Sequence, residues 1–171
     1  SFLESRSRHS FSTTKRPRTS WRAVARSVGV RPEEVLPGNG VSELIWLIAN
    51  AYLAEGDPVM VVGPTFGEYA AAALAMGSRV YRWDALPESD FLPSVDEIAR
   101  LIRETSPKLL FLCNPNNPTG RYLRLEEVRA ILESWEEGIL VLDEAYVSFV
   151  EESWSSVPLV AGGRAIIMRS M

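Results

Sequence analysis

The sequence is short of the residues on which several common chemistries depend. Among 171 residues there is one cysteine, Cys113, and one histidine, His9. A single thiol excludes an internal disulfide framework and a thiolate metal cluster. A single imidazole near the start leaves none inside the fold for a Ser/His/Asp triad or a multi-histidine zinc centre, so no metal site is expected. Lysine is scarce as well: Lys15 and Lys108 are the only two, and neither follows a glycine. The phosphate loop G-x-x-x-x-G-K-[ST] of the P-loop ATPases is thereby ruled out. Long apolar runs are also missing. The most apolar helical stretch, 44–54, is bounded by Glu43 and Glu55 and is too short to span a bilayer, so no membrane partner is expected.

A hydrophobic content of 46% fits one soluble domain with a real core. Charge divides the chain: eight of the 18 basic residues lie in the first 31, against one of the 22 acidic residues. Residues 1–20 form a basic, Ser-rich head without periodicity, expected to be disordered or to be a corrupted start. A targeting or nucleic-acid-binding arm is the alternative. The acidic body argues against nucleic acid as a partner.

From Trp21 the pattern becomes regular. Helices are expected over 21–28, ending at Gly29, and over 41–54. Then strand 58–62, helix 66–76, strand 79–83, helix 94–104, strand 108–112, helix 125–136, strand 139–142 and strand 165–169 follow. Strands that are apolar on both faces, alternating with helices of this length, predict an α/β domain: a three-layer sandwich with a mainly parallel sheet.

Ligands of such sheets sit outside the carboxyl ends of the strands, so the segments just after each strand carry the information. These are "GNGVSE" (38–43), "GPTFGEY" (63–69), "CNPNNPTG" (113–120), "DEAY" (143–146) and "RSM" (169–171). Gly40, Val41 and Ser42 open a helix, where unpaired N–H groups and the positive dipole end favour an anion; they also read as a plain turn. Phe66 is either a core aromatic or a cover for a flat ligand. Asn117 offers an amide on a loop stiffened by Pro115 and Pro118, which is over-specified for a bare turn. Asp143 directly follows four apolar residues and is costly to bury unless a cation or donor faces it. A protonated heteroaromatic nitrogen is such a cation. Pyridoxal phosphate combines one with a phosphate for a helix terminus and a ring face for an aromatic.

"GNGVSELI", "NPNNPTG" and "LDEAY", in this order and spacing, resemble the fold type I pyridoxal-phosphate aminotransferases. The likeness runs from Trp21 to Met171 and is greatest to the histidinol-phosphate aminotransferase group and the related threonine-phosphate decarboxylases. It implies pyridoxal 5'-phosphate as cofactor and amino transfer between an amino acid or amino-acid phosphate and a 2-oxo acid. A lyase resembling threonine-phosphate decarboxylase, or a non-catalytic truncated relative, is the alternative. The resemblance assigns Gly40, Val41 and Ser42 to the cofactor phosphate, Phe66 to the ring face, Asn117 and Tyr146 to the ring's O3′, Asp143 to the ring nitrogen and Ser170 to the phosphate. It also implies that 21–171 is an incomplete large cofactor domain lacking the small C-terminal domain, and a cytoplasmic homodimer when complete. The family's Schiff-base lysine would follow Met171 by about two residues. Lys108 lies at the wrong end of its strand, so the chain as given is expected to be inactive and to bind the cofactor weakly. The Gly63–Pro64 and Asn117–Pro118 bonds are candidates for cis.

Overall fold

The computed structural model describes residues 18–170, with side chains from Trp21 onward. Most of the basic head, with His9 and Lys15, lies outside the described residues, as does Met171. The chain divides into two units, 1–37 and 38–171. In the first, helix α1 (Arg18–Val28) stops at Gly29, whose φ of 77° is a conformation glycine adopts without strain. A 3₁₀ turn, Pro32–Glu34, follows; the Glu34 carboxylate accepts the Arg31 backbone N–H at 2.8 Å and pairs with its guanidinium at 3.0 Å.

The second unit is a five-stranded sheet with helices on both faces. In chain order it contains α2 (Val41–Tyr52), β1 (Pro58–Gly63), α3 (Glu68–Ala75), β2 (Arg79–Asp84), α4 (Val95–Thr105), β3 (Leu109–Cys113), α5 (Leu125–Glu133), β4 (Ile139–Asp143), the short α6 (Val157–Val160) and β5 (Ala165–Met168). All four strand pairings are parallel, in the order β2-β1-β3-β4-β5. The expected three-layer parallel architecture is present.

Successive side chains on a strand point to opposite faces, and here that alternation sorts the core into two. Val59, Val61, Leu109, Phe111, Cys113 and Val141 face α2 and α3, meeting Ile45, Ile48, Ala49, Tyr69, Ala72 and Ala73. Met60, Val62, Leu110, Leu112, Leu140 and Leu142 face α4 and α5, meeting Ile98, Ile102, Val128 and Ile131. With both faces covered, the central strands need apolar residues at every position.

Several boundaries differ from the sequence-based expectation, each for a local reason. β2 is not apolar on both faces: it is an edge strand, with Arg79, Arg82 and Asp84 exposed and an Arg82–Asp84 ion pair at 2.7 Å. Helix α3 starts at Glu68 rather than Phe66, because residues 64–67 stay in the loop that follows β1. Helix α5 ends at Glu133, three residues early, where the buried Trp135 turns inward and its indole N–H donates to the Pro107 carbonyl at 2.9 Å. Helix α2 ends at Tyr52; the chain then extends through Leu53, and the Ala54 N–H donates to the Asp57 carboxylate at 2.8 Å. β3 runs one residue further than expected, to Cys113. Lys108 sits just before β3, at the amino end of the sheet, paired with Asp57 at 2.7 Å. The Gly63–Pro64 and Asn117–Pro118 bonds are cis, and so is Asn114–Pro115.

Leu110, wholly buried at the centre of the sheet, should be far more sensitive to truncation than a surface helix position. Leu110→Ala is expected to cost about 2–5 kcal/mol, whereas Arg100→Ala on the exposed side of α4 should stay within about 0.5 kcal/mol. Urea unfolding of the two variants against wild type checks the difference.

Candidate functional site

The strand register decides which residues gather at the carboxyl edge of the sheet. Cys113 pairs with Asp143 and Asp143 with Met168, while Val61 aligned with Phe111 puts the end of β1 beside the end of β3. The connections run outward in opposite directions from β1 and β3, which makes a crevice above their ends. A cavity of about 170 Å³ lies there, lined by Val41, Ser42, Phe66, Tyr69, Cys113, Asn117, Asp143, Ala145 and Tyr146. For scale, a cavity of about 150 Å³ accommodates a benzene ring.

Six of the eight residues singled out from the sequence therefore line one cavity. Gly40 adjoins it as the residue before α2, with φ 88°, a backbone that an L side chain would strain. Ser170 follows β5 at the same edge but is exposed and does not line the cavity. Among the described residues no side chain caps α2, which leaves its first N–H groups open to an anion at the end where Ser42 is exposed.

The three asparagines of the 113–120 loop have divided tasks. Asn114, buried, donates to the Leu123 carbonyl at 3.0 Å and accepts the Leu123 N–H at 2.7 Å. Asn116 donates to the Pro64 carbonyl and to the Thr119 hydroxyl, both at 2.8 Å, so it ties this loop to the one after β1. Only Asn117 is left with its side-chain amide unengaged among the described residues, and it is the one on the cavity.

Two adjacent carboxylates end β4, and the pleat sends them to opposite faces. Glu144 is paired within the chain: its Oε2 accepts from Arg169 Nε at 2.7 Å and from the Ser156 hydroxyl at 2.9 Å, while its Oε1 is buried without a partner. Asp143 is 3% exposed and forms none of the ion pairs among the described residues. It accepts the Tyr69 hydroxyl at 2.6 Å on Oδ2 and the Ala145 N–H at 2.9 Å on Oδ1. Burial holds its carboxyl above the ordinary carboxylate range, and these two hydrogen bonds offset part of the rise. Burial likewise raises the Cys113 thiol and the Tyr69 phenol, the latter also because Cys113 and Asp143 lie beside it.

Tyr69, Cys113 and Ala145 escaped the sequence reading. Tyr69 stacks on Phe111 with ring centroids 5.2 Å apart and meets Phe66 edge-on at 5.8 Å. Phe66 lies in the loop before α3 and Tyr69 in its first turn, so no helical spacing links the two in the sequence, and the fold brings their rings together. Cys113 was readable from strand parity, two residues after Phe111.

The raised carboxyl has a direct consequence for the ligand-free chain. The folded state keeps the Asp143 proton to a higher pH than the unfolded state, so stability is fully present below the unfolded value of about 3.9 and falls as pH rises through the raised folded value. Asp143→Asn removes this loss. Its stability relative to wild type should grow with pH across that window and then level off, as read from urea midpoints at a series of pH values.

The family model for aminotransferase class I and II matches residues 2–171, taking in the basic head as well, where the sequence motifs carried no likeness. A histidinol-phosphate aminotransferase from Moorella thermoacetica is 37% identical over 153 residues, covering 86% of this chain and 39% of that protein. The chain thus spans well under half the length of this curated relative. Among solved structures, a decarboxylase from Sulfurospirillum multivorans superposes with a TM-score of 0.79 at 28% identity, over 90% of this chain and 45% of that one. A histidinol-phosphate aminotransferase from Sinorhizobium meliloti, in complex with pyridoxal-5'-phosphate, shares the fold with a TM-score of 0.79 at 23% identity, over 88% of this chain and 41% of that one. With the family model matching residues 2–171 and a curated relative 37% identical over 86% of the chain, the chain belongs to the class I and II aminotransferases.

Proposed function

We propose that this chain is the cofactor-holding part of a pyridoxal-phosphate-dependent aminotransferase of the histidinol-phosphate type, transferring an amino group from an amino-acid phosphate or related amine to a 2-oxo acid. The observation that carries the reading is Asp143: a carboxylate buried at the carboxyl end of β4, opening on a cavity, with no cation among the described residues to face it. A protonated ring nitrogen supplies that cation.

The other residues fit the same group. The open N–H groups of Val41 and Ser42, with the Ser42 hydroxyl, would hold the phosphate, and Gly40 leaves room for it to approach. Phe66, at the mouth and 37% exposed, has a free face for the ring. The Asn117 amide and the Tyr146 phenol would donate to the ring oxygen, and Ser170 is proposed as a further phosphate contact. When bound, pyridoxal phosphate draws electrons from the substrate Cα, and Asp143 sustains this by keeping the ring nitrogen protonated. Lys108, the one lysine among the described residues, is at the opposite end of the sheet, so the amine that bonds the cofactor aldehyde is not among them. Residues 21–171 are proposed as part of the large domain of a cytoplasmic homodimer.

A second reading, decarboxylation of an amino-acid phosphate, is favoured by Phe66 and the "GPTFGEY" segment and by the decarboxylase among the similar structures. The full-length gene product, assayed with histidinol phosphate plus 2-oxoglutarate and separately with threonine phosphate, separates the two; amino transfer from histidinol phosphate is expected. Breaking a buried ion pair costs about 3–5 kcal/mol, so Asp143→Ala should lower turnover by about 100-fold or more with far-UV circular dichroism unchanged. Undiminished turnover would remove Asp143 from the site. Asn117→Ala, losing one hydrogen bond of about 1 kcal/mol, should weaken cofactor affinity about fivefold.

A further inference from the structure

Asp143 has a partner that no role in the site yet accounts for. The Tyr69 hydroxyl donates to Asp143 Oδ2 at 2.6 Å, and its ring is 1% exposed, held flat against Phe111 and edge-on to Phe66. The side chain thus has one fixed orientation, set by the aromatic contacts, and its oxygen meets the carboxylate in it. The Ala145 N–H holds the other oxygen from the loop after β4. Two donors from two elements fix the plane of the carboxylate.

We propose that Tyr69 is a positioning residue for Asp143: its phenol aims the carboxylate at the cationic ring nitrogen and keeps it ionised there. This rests on the reading that the cavity takes a protonated pyridine. Among the described residues, the titratable groups facing Asp143 are Tyr69 from α3, Cys113 from β3 and Tyr146 from the loop after β4, and no lysine, arginine or histidine lines the cavity. Glu144 and Arg169 are engaged with each other on the opposite face, and Glu43 of α2 with the Asn39 backbone N–H. Of the facing groups, Tyr69 alone donates a side-chain hydrogen bond to Asp143. Removing it leaves the carboxylate with a single donor and makes the protonated form easier to reach.

The test uses the 171-residue chain and pyridoxine 5'-phosphate, which has the pyridine ring and phosphate but no aldehyde to react with lysine. Calorimetric affinity should fall on the acid side as Asp143 takes up a proton. In Tyr69→Phe that limb should move to higher pH by about one unit, with affinity above it reduced severalfold. A limb superimposable on wild type would overturn the proposal. The carbon-13 titration of the Asp143 carboxyl in the ligand-free chain asks the same question without any ligand: a midpoint raised in Tyr69→Phe supports the role, and an unchanged one rejects it. Should Tyr69→Phe not fold, replacing the five tyrosines by 3-fluorotyrosine, a stronger donor, should lower the midpoint; no shift or a rise rejects it. Failure of the full-length gene product to bind pyridoxine 5'-phosphate would reject the functional reading alone, since the carboxyl titration of the 171-residue chain still decides the part played by Tyr69.

Discussion

A carboxylate buried at the end of a central strand, without a cation facing it among the described residues, is the constraint around which this unit is arranged. Removing an ionised carboxyl from water is expensive, and the group responds by holding its proton more tightly. Asp143 does so, while two hydrogen bonds keep it partly tuned towards ionisation. Its neighbour Glu144 shows the ordinary solution, an arginine and a serine on one oxygen. That the same strand end carries one internally paired acid and one turned to a cavity is the separation expected when stability and ligand binding are assigned to different side chains. Asp143, hydrogen-bonded on both oxygens but facing no cation among the described residues, costs the free fold something that a cationic ligand would offset.

Pre-organisation explains why so much of the loop after β3 is polar. Ordering a loop on binding would subtract from affinity, so a loop already fixed by its own hydrogen bonds is worth more than an additional contact. Asn114 and Asn116 do the fixing, one to Leu123 and one across to Pro64, which leaves Asn117 as the asparagine of the loop whose amide is unengaged among the described residues. The link from Asn116 to Pro64 also sets the loop bearing Asn117 relative to the loop bearing Phe66. The Phe66 ring and the Asn117 amide are thereby positioned relative to each other by one piece of backbone.

Much of this was legible because the signals are local. Apolar runs at β1, β3 and β4 can only be strands covered on both sides, and Gly40 before an apolar helix marks an open amino end. The residues at strand ends then follow from the rule for parallel sheets. What was not legible depended on neighbours far along the chain. β2 is expected to be apolar on both faces, yet it lies at the edge of the described sheet with Arg79, Arg82 and Asp84 exposed and Val80, Tyr81 and Trp83 half-buried. Helix α5 stops early because Trp135 seeks the Pro107 carbonyl. Tyr69 carries no signal of its own in the sequence; only the folded chain brings it to Asp143, 74 positions away. Ser170 was assigned by motif alone, and the position of an exposed residue after the last strand is fixed by little in the described chain.

The aromatic contacts join the core to the site. Phe111 belongs to the face of the sheet packed under α2 and α3, Tyr69 lies stacked on it, and Phe66 stands edge-on at the cavity mouth. Close-packed interiors transmit small displacements because the void that would absorb them is absent. A change of volume at Phe111 would therefore tilt Tyr69, and through the phenol it would alter the plane of the Asp143 carboxylate, although Phe111 itself touches no ligand position. The parity of β3 makes this coupling unavoidable: the side that carries Phe111 into the core carries Cys113, two residues later, into the cavity wall beside Asp143. Core packing and the electrostatics of the site are thus set by the same alternate residues of one strand.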